Sequence, residues 1–285
     1  MRYLDHIRRC NAFDPARFLP FLVGGEQVGH VRRDFSRHLT AFPAVFAVTD
    51  QRVALQDTLA TSAERTDAIR QTARRLFALG LVPKLRGEDF PLVTDWGQAA
   101  LAVLDRTLVP FFGLRAFGIH VNGFVRQGDR LKLWVGRRAP DREVEPDKLD
   151  NLVAGGQPAG LSLAQNLVKE AAEEAAIPAD LALRAIPVGA VSYCMDGERG
   201  LKPDTLFLYD LELPADFTPA NNDGEIACFT LMDIDEVAEI VRTGYDFKFN
   251  VALVLIDFLI RHGRLSPDNE PDYLALVTGL RVPLS

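Results

Sequence analysis

"DNLVAGGQPAGLSLAQNLVKEAAEEAAIPAD", residues 150–180, is the stretch on which the fold turns. Ser162 and, three residues on, Gln165 have the spacing of a capping box, and Pro178 limits the far end, so a helix lies between them. Leu163, Leu167, Ala171 and Ala175 recur four residues apart and give that helix one face suited to lying on a sheet. On a different face Glu170 neighbours both Glu173 and Glu174, close to the C-terminal end. Like charges at this spacing destabilise a helix by roughly 0.2–0.5 kcal/mol per pair. Each exposed acid in the last turn also opposes the macrodipole by roughly 0.3–1 kcal/mol. Lys169 cannot relieve all three. A hard divalent cation, Mg2+ (or Mn2+), can, because it takes carboxylate oxygens and keeps positions open for substrate phosphates. A solvated acidic face is the other reading of "EAAEEA" alone. The glycine loop at Gly155 and Gly156 is what favours a site.

The flanking sequence reads as strands. "FGIHVNGFVRQGDRLKLWVGRRA" (117–139) is two β-rich runs joined by "QGD", a hairpin signal. "AIPVGAVSYCMDGERGLKPDTLFLYDLEL" (185–213) is two more strands around a turn, and "EIACFTLMDIDEVAEIVRTG" (225–244) is a strand running into a helix. "FKFNVALVLIDFLIRHG" (247–263) is a last helix ending at Gly263. Upstream, "AFPAVFAVTDQRVALQD" (41–57) gives a strand and turn. "SAERTDAIRQTARRLFALGLV" (62–82) gives a helix with Ser62 as N-cap and Gly80 near the C-cap. Residues 84–114 suggest a turn, a short extended piece and another helix. These elements predict an α+β chain with layered helices about a sheet. We divide it into an N-terminal α+β accessory domain (1–112), a second domain (113–264) and a tail (265–285) ordered only in part.

Composition narrows the function. The 285 residues are 48% hydrophobic and 25% charged, the balance of a globular chain with room for a large core. A net charge of −7, with no basic block to offset it, argues against a sequence-independent grip on nucleic acid or anionic lipid. The longest apolar runs are too short to span a bilayer, and no apolar leader opens the chain. Cys10, Cys194 and Cys228 are odd in number and far apart, so they read as reduced, mostly buried thiols in a cytoplasmic protein.

The central stretch resembles the signature of Nudix hydrolases, G-x5-E-x7-R-E-U-x-E-E-x-G-U, with U a bulky aliphatic residue. Gly155 matches the first glycine, Glu170 the glutamate after the arginine, Glu173 and Glu174 the paired glutamates, and Ile177 the last aliphatic. Leu161, Lys169, Ala171 and Ala176 depart from it. "DNLVAGGQPAGLS", "GLKPDTLFLYDLELPADFTPANNDGEI" and "FKFNVALVLIDFLIRHG" resemble the branch with an extra N-terminal domain, which includes the Nudix part of fungal thiamine pyrophosphokinase and plant relatives. The resemblance implies a C-terminal Nudix α/β/α sandwich with a mixed sheet. It further implies metal held by Glu170, Glu173 and Glu174, and removal of phosphate from thiamine diphosphate or its oxidised forms. Hydrolysis of a nucleoside-diphosphate-linked compound such as ADP-ribose is the alternative; a diphosphate sensor without chemistry is another.

Further candidates follow from position. Gly155 and Gly156 let the backbone approach a diphosphate. Glu225, before a strand, is a further ligand or base, or else a hairpin-turn acid. Arg137 and Arg138 end a strand, and alternation lets only one of them clamp phosphate. Lys202 is another phosphate candidate. Phe247 and Asn250 could stack on and hydrogen-bond a flat heterocycle, whereas Phe249 reads as helix-start packing. Trp134 reads as core and His30 as a loop histidine. The apolar N-terminal part is a candidate homodimer contact.

Overall fold

A computed structural model describes residues 2–282. The chain opens on helix α1 (Tyr3–Cys10) and then builds a small sheet. Its strands are β1 (Phe18–Val23), β2 (Glu26–Arg32), β3 (Phe46–Val48) and β4 (Val53–Leu55), ordered β2-β1-β4-β3. Helix α2 (Arg33–Leu39) links β2 to β3, and α3 (Ser62–Ala78) follows β4. A hairpin of β5 (Asp89–Leu92) and β6 (Ala102–Asp105) completes this part. Phe21, Leu39, Leu76, Leu104 and Phe112 share its core.

Two expectations are corrected here. The N-cap of α3 is Thr61, not Ser62. Thr61 Oγ1 accepts the Glu64 N–H at 3.2 Å and the Glu64 carboxylate accepts the Thr61 N–H at 2.8 Å, which sets the capping box one residue earlier. The helix expected near residue 102 is strand β6: Ala102 and Leu104 are buried while Val103 and Asp105 are half-buried, a period of two that fits pairing with β5.

The larger sheet holds β7 (Ala116–Gln127), β8 (Arg130–Arg138), β9 (Leu149–Asp150), β10 (Val153–Gly156), β11 (Ile186–Gly197), β12 (Gly200–Glu212) and β13 (Ile226–Asp233). The order is β11-β12-β7-β8-β13, with β10 on β7 and β9 on β8. β12 runs parallel to β7 and the other pairs are antiparallel, so the sheet is mixed. Helices α4 (Leu163–Ala175) and α5 (Ala179–Ala182) cover one face, where Ile119 and Val121 meet Leu167, Ala171 and Ala175. Helices α6 (Ile234–Thr243), α7 (Val251–Arg261) and α8 (Tyr273–Gly279) cover the other, together with α1. This is an α/β/α sandwich. Every residue of α7 from Val251 to Leu259 is buried, as an almost wholly apolar helix between two layers must be.

Chain ends also pack into that second layer. Tyr3, Ile7 and Cys10 belong to the core under α7, not to the N-terminal core. Leu265, Leu276 and Leu280 join it, which corrects the expectation of a partly ordered tail over the residues described; 283–285 lie outside them. Cys10 is buried, Cys194 half-buried and Cys228 exposed, and all three are free thiols. Among the described residues no helix is long and apolar enough to cross a membrane. Leu276, fully buried, should lose about 2–5 kcal/mol of stability on change to alanine in urea denaturation. Leu274→Ala, on the exposed side of the same helix, should stay within about 0.5 kcal/mol.

Candidate active site

The glutamates are placed by the contact between α4 and β10. Ser162 caps the helix onto the Gln165 N–H, and Ala176 closes it in the left-handed conformation. Asn166 Nδ2 donates to the Gly156 carbonyl at 2.9 Å, fixing helix against strand. Glu174 is buried at 6% exposure, and one of its oxygens accepts the Ala154 N–H at 2.8 Å. Glu170 packs against Gly155 so closely that a Cβ there would lie 2.4 Å from its carboxyl carbon. Glu173 points outward, its side chain 48% exposed. Lys169 Nζ spans Glu170 at 3.0 Å and Glu173 at 2.8 Å; among the described residues Glu174 has no ion pair, and Lys248 acts on it only at longer range.

That leaves unbalanced charge. Burial pushes the Glu174 carboxyl well above the usual range, and Asp150, Glu170 and Glu225 push it further, against the Ala154 N–H bond. Burial also raises Glu170, with Lys169 opposing. For Asp150 the balance is reversed. Burial works to raise it, but Lys248 and Arg138 outweigh that and hold it low.

Beside this edge lies a cleft of about 610 Å³, lined from the large sheet and from the β5–β6 hairpin with the segments flanking it. Gly155 and Gly156 form part of its wall, and a Cβ at Gly156 would meet Phe90 at 2.7 Å. Glu225 lines it, paired with Arg142 at 2.7 Å. Arg138 and Lys202 line it as well; Arg137 lies outside, donating to the Asp147 carbonyl at 2.9 Å. Arg138 is buried and its guanidinium is taken up by Asp150 and the carbonyls of Val144 and Glu145. Asn250 lines the cleft, but Phe247 does not. Its ring is 2% exposed in the core, so the expectation of stacking at Phe247 is corrected, and Phe249 is the ring that reaches the cleft. Phe249 carries Lys202 over its face, Nζ 5.0 Å from the centroid. Trp134 is half-buried against the α4-side core, and His30 sits in β2 away from the cleft.

Sequence reasoning missed several lining residues. Phe90 and Arg106 come from the N-terminal part; His120, Tyr193 and Lys248 come from the large sheet and its helix entry. His120 and Asn122 were legible as polar residues on the inward side of an otherwise apolar strand. Burial, then Lys248, push His120 down to about 4, so it is neutral at physiological pH.

Comparison with known proteins decides the family. The chain is 41% identical over 284 residues to "Nudix hydrolase 24, chloroplastic" of Arabidopsis thaliana, covering 98% of this chain and 77% of that protein. It is 38% identical over 290 residues, with the same coverages, to "Nudix hydrolase 20, chloroplastic" of that plant. The chain is a Nudix hydrolase. As such it acts on phosphoanhydride bonds, and enzymes of this family generally use divalent metals. An uncharacterized Saccharomyces cerevisiae protein, YJR142W, is 31% identical over 252 residues, covering 83% of this chain and 73% of that one. A family described as a domain of unknown function, DUF4743, matches residues 2–116.

The plant names correct the cytoplasmic expectation for this Nudix hydrolase, since both relatives are called chloroplastic and point to a plastid. Reduced thiols mark a reducing compartment, and the cytoplasm is only one such place.

The residues fit a metal by donor chemistry: hard carboxylate oxygens, one of them buried and, among the described residues, in no ion pair. Among the described residues no three His, Cys, Asp or Glu side chains converge at ligand distance, and Lys169 takes up part of the charge.

Two outcomes test this edge. Gly155→Ala should displace the Glu170 carboxylate and lower phosphate release on the order of 100-fold, with circular dichroism unchanged. Because the folded protein raises the Glu174 pKa, its carboxyl supports folding below the unfolded pKa and ceases to as pH rises through the folded one. Metal-free Glu174→Gln should therefore melt higher than wild type at pH 8, with the difference shrinking towards pH 4.

Proposed function

We propose that this Nudix hydrolase is a Mg2+-dependent diphosphatase that takes thiamine diphosphate or its oxidised derivatives to the monophosphate and phosphate. What carries the reading is the cleft itself. Cationic side chains, an aromatic ring and a glycine wall backed by carboxylates border one space large enough for a diphosphate with a heterocyclic group.

The charges suit the two ends of such a substrate. Arg106, Arg142, Arg199 and Lys202 line the cleft, and Arg142 Nε is a shielded donor with no acceptor among the described residues. A phosphate oxygen would satisfy it. The Gly155 and Gly156 backbone admits the diphosphate where a side chain would collide. Phe249, Tyr193 and Asn250 also border the cleft and suit a flat heterocycle, with the Lys202 ammonium already over the Phe249 face.

Glu170 and Glu174, with Glu173 beside them, are the residues we assign to hold Mg2+. When bound it supplies positive charge at the phosphoryl oxygens and a more acidic water. Water adds to phosphorus, the bond from that phosphorus to the bridging oxygen breaks, and the monophosphate leaves with that oxygen. Glu225, paired with Arg142 at the cleft wall, is placed to orient the water. The N-terminal part, apart from α1, which belongs to the sandwich core, acts as an accessory domain that contributes Phe90 and Arg106 to the substrate's surroundings.

Phosphate release with Mg2+ across thiamine diphosphate, oxothiamine diphosphate, ADP-ribose and NADH tests the reading. Turnover of the thiamine compounds, lost in Glu174→Gln, is the expected result. Turnover of ADP-ribose alone would keep the chemistry and discard the thiamine assignment. Tight metal-dependent binding with no turnover would mark a sensor.

A further inference from the structure

Two chains of polar side chains end on the cleft, and each is anchored on a carboxylate, Asp210 outside the cleft or Asp204 on its wall. The first crosses the large sheet. Arg261 donates twice to Asp210 and keeps it ionised, so Asp210 can only accept. Asn122, 3.0 Å from that carboxylate, must therefore turn its amide nitrogen towards it. Its oxygen then faces Asn151, which donates from Nδ2 at 2.9 Å. The remaining oxygen of Asn151 lies 2.8 Å from His120 Nδ1, so that nitrogen carries the proton. His120 Nε2 is left as a bare lone pair on a cleft residue, with no bond to the described residues.

The second chain has the same logic. Tyr193 donates its hydroxyl proton to Asp204 at 2.6 Å. Asn250 Nδ2 lies 3.4 Å from that hydroxyl oxygen, whose proton is already committed, so the amide is the donor. Asn250 Oδ1 is left shielded and without a partner, on a side chain only 7% exposed. Both chains thus commit their donors to a carboxylate, Asp210 outside the cleft or Asp204 on its wall, and leave one acceptor each unused, His120 Nε2 and Asn250 Oδ1.

We propose that His120 Nε2 and Asn250 Oδ1 read N–H donors on the organic half of the substrate, selecting a heterocycle with an exocyclic amino group. This rests on the diphosphatase reading for the other half. A buried acceptor left unpaired is costly, so a ligand lacking the donor is rejected by about tenfold or more in affinity. Asp210 and Asn151 are positioning residues, since they act through the tautomer of His120.

Three measurements on the full chain test it. Imidazole nitrogen-15 shifts should give His120 as the Nδ1–H tautomer in wild type, and Asp210→Asn should release that preference while His38, exposed on α2, is unmoved. An Nε2–H tautomer in wild type overturns the proposal without touching the hydrolase reading. Next, KM for thiamine diphosphate is compared with that of its analogue bearing hydrogen in place of the amino group. About tenfold or more is expected in wild type, falling to about threefold or less in Asn250→Ala. Equal values in wild type overturn the proposal, while turnover itself keeps the diphosphatase. If neither thiamine compound is turned over, the substrate assignment falls. ADP-ribose and its 6-desamino analogue then read the acceptors by calorimetry, with equal affinity overturning them.

Discussion

Burying an ionised carboxylate is costly unless a cation or several donors accompany it, and the active edge is organised around a buried carboxyl with no ion-pair partner among the described residues. Asp150 has Arg138 and Lys248, and Asp210 has Arg261, so the chain can neutralise buried acids where it needs to. At Glu174 the described residues offer one backbone N–H instead. The small residues of α4, Ala171 and Ala175, let the helix lie close enough to the sheet for that bond to form. Packing therefore holds a carboxyl whose charged form is disfavoured by burial until a cation from outside the chain accompanies it. The same close approach of α4 to β10 leaves no room for a side chain at Gly155, where a Cβ would meet the Glu170 carboxyl.

The cations of the cleft are arranged differently, being paired but at partly exposed positions. Glu143 is shared between Arg86, from the N-terminal part, and Arg199, from the β11–β12 turn. Arg106 pairs with Glu88, and Arg142 with Glu225. Ion pairs at partly solvated positions are individually weak, typically about 0–1 kcal/mol, so an arriving phosphate can exchange partners with them cheaply. Through Glu143, Arg86 also ties the N-terminal part to the sandwich. Substrate charge and the junction between the N-terminal part and the sandwich thus share one set of side chains.

Much of the sandwich was legible because its signals are local. The capping box at Ser162, the "QGD" turn and the four-residue spacing on α4 each specify their structure within a few positions. What was not legible depends on partners distant in sequence. "ALAVLD" has no intrinsic reason to prefer strand until β5 lies beside it. Phe247 and Phe249 are two residues apart in the same short segment, and only the approach of Leu149 and the core under α7 decides which ring is inward. Phe90 and Arg106 could not be assigned to the cleft from a stretch that shows no catalytic pattern. The tail misled through its prolines and aspartates, because three leucines eleven and four residues apart suffice to bury it.

The polar chains behind the cleft show what a mixed sheet can do that a purely apolar one cannot. Asn122 and Asn151 replace apolar side chains at the centre of the sandwich, and each hydrogen bond they make is dictated by the next. Such a network tolerates little rearrangement, since reversing one amide leaves two like groups facing each other in a low-dielectric interior. Its stability therefore comes with direction: charge at Asp210 on β12 determines which nitrogen of His120 is bare on the same face of β7. A side chain at the cleft is then set by packing that contains no substrate-binding group at all, and the specificity of the site is held by the core.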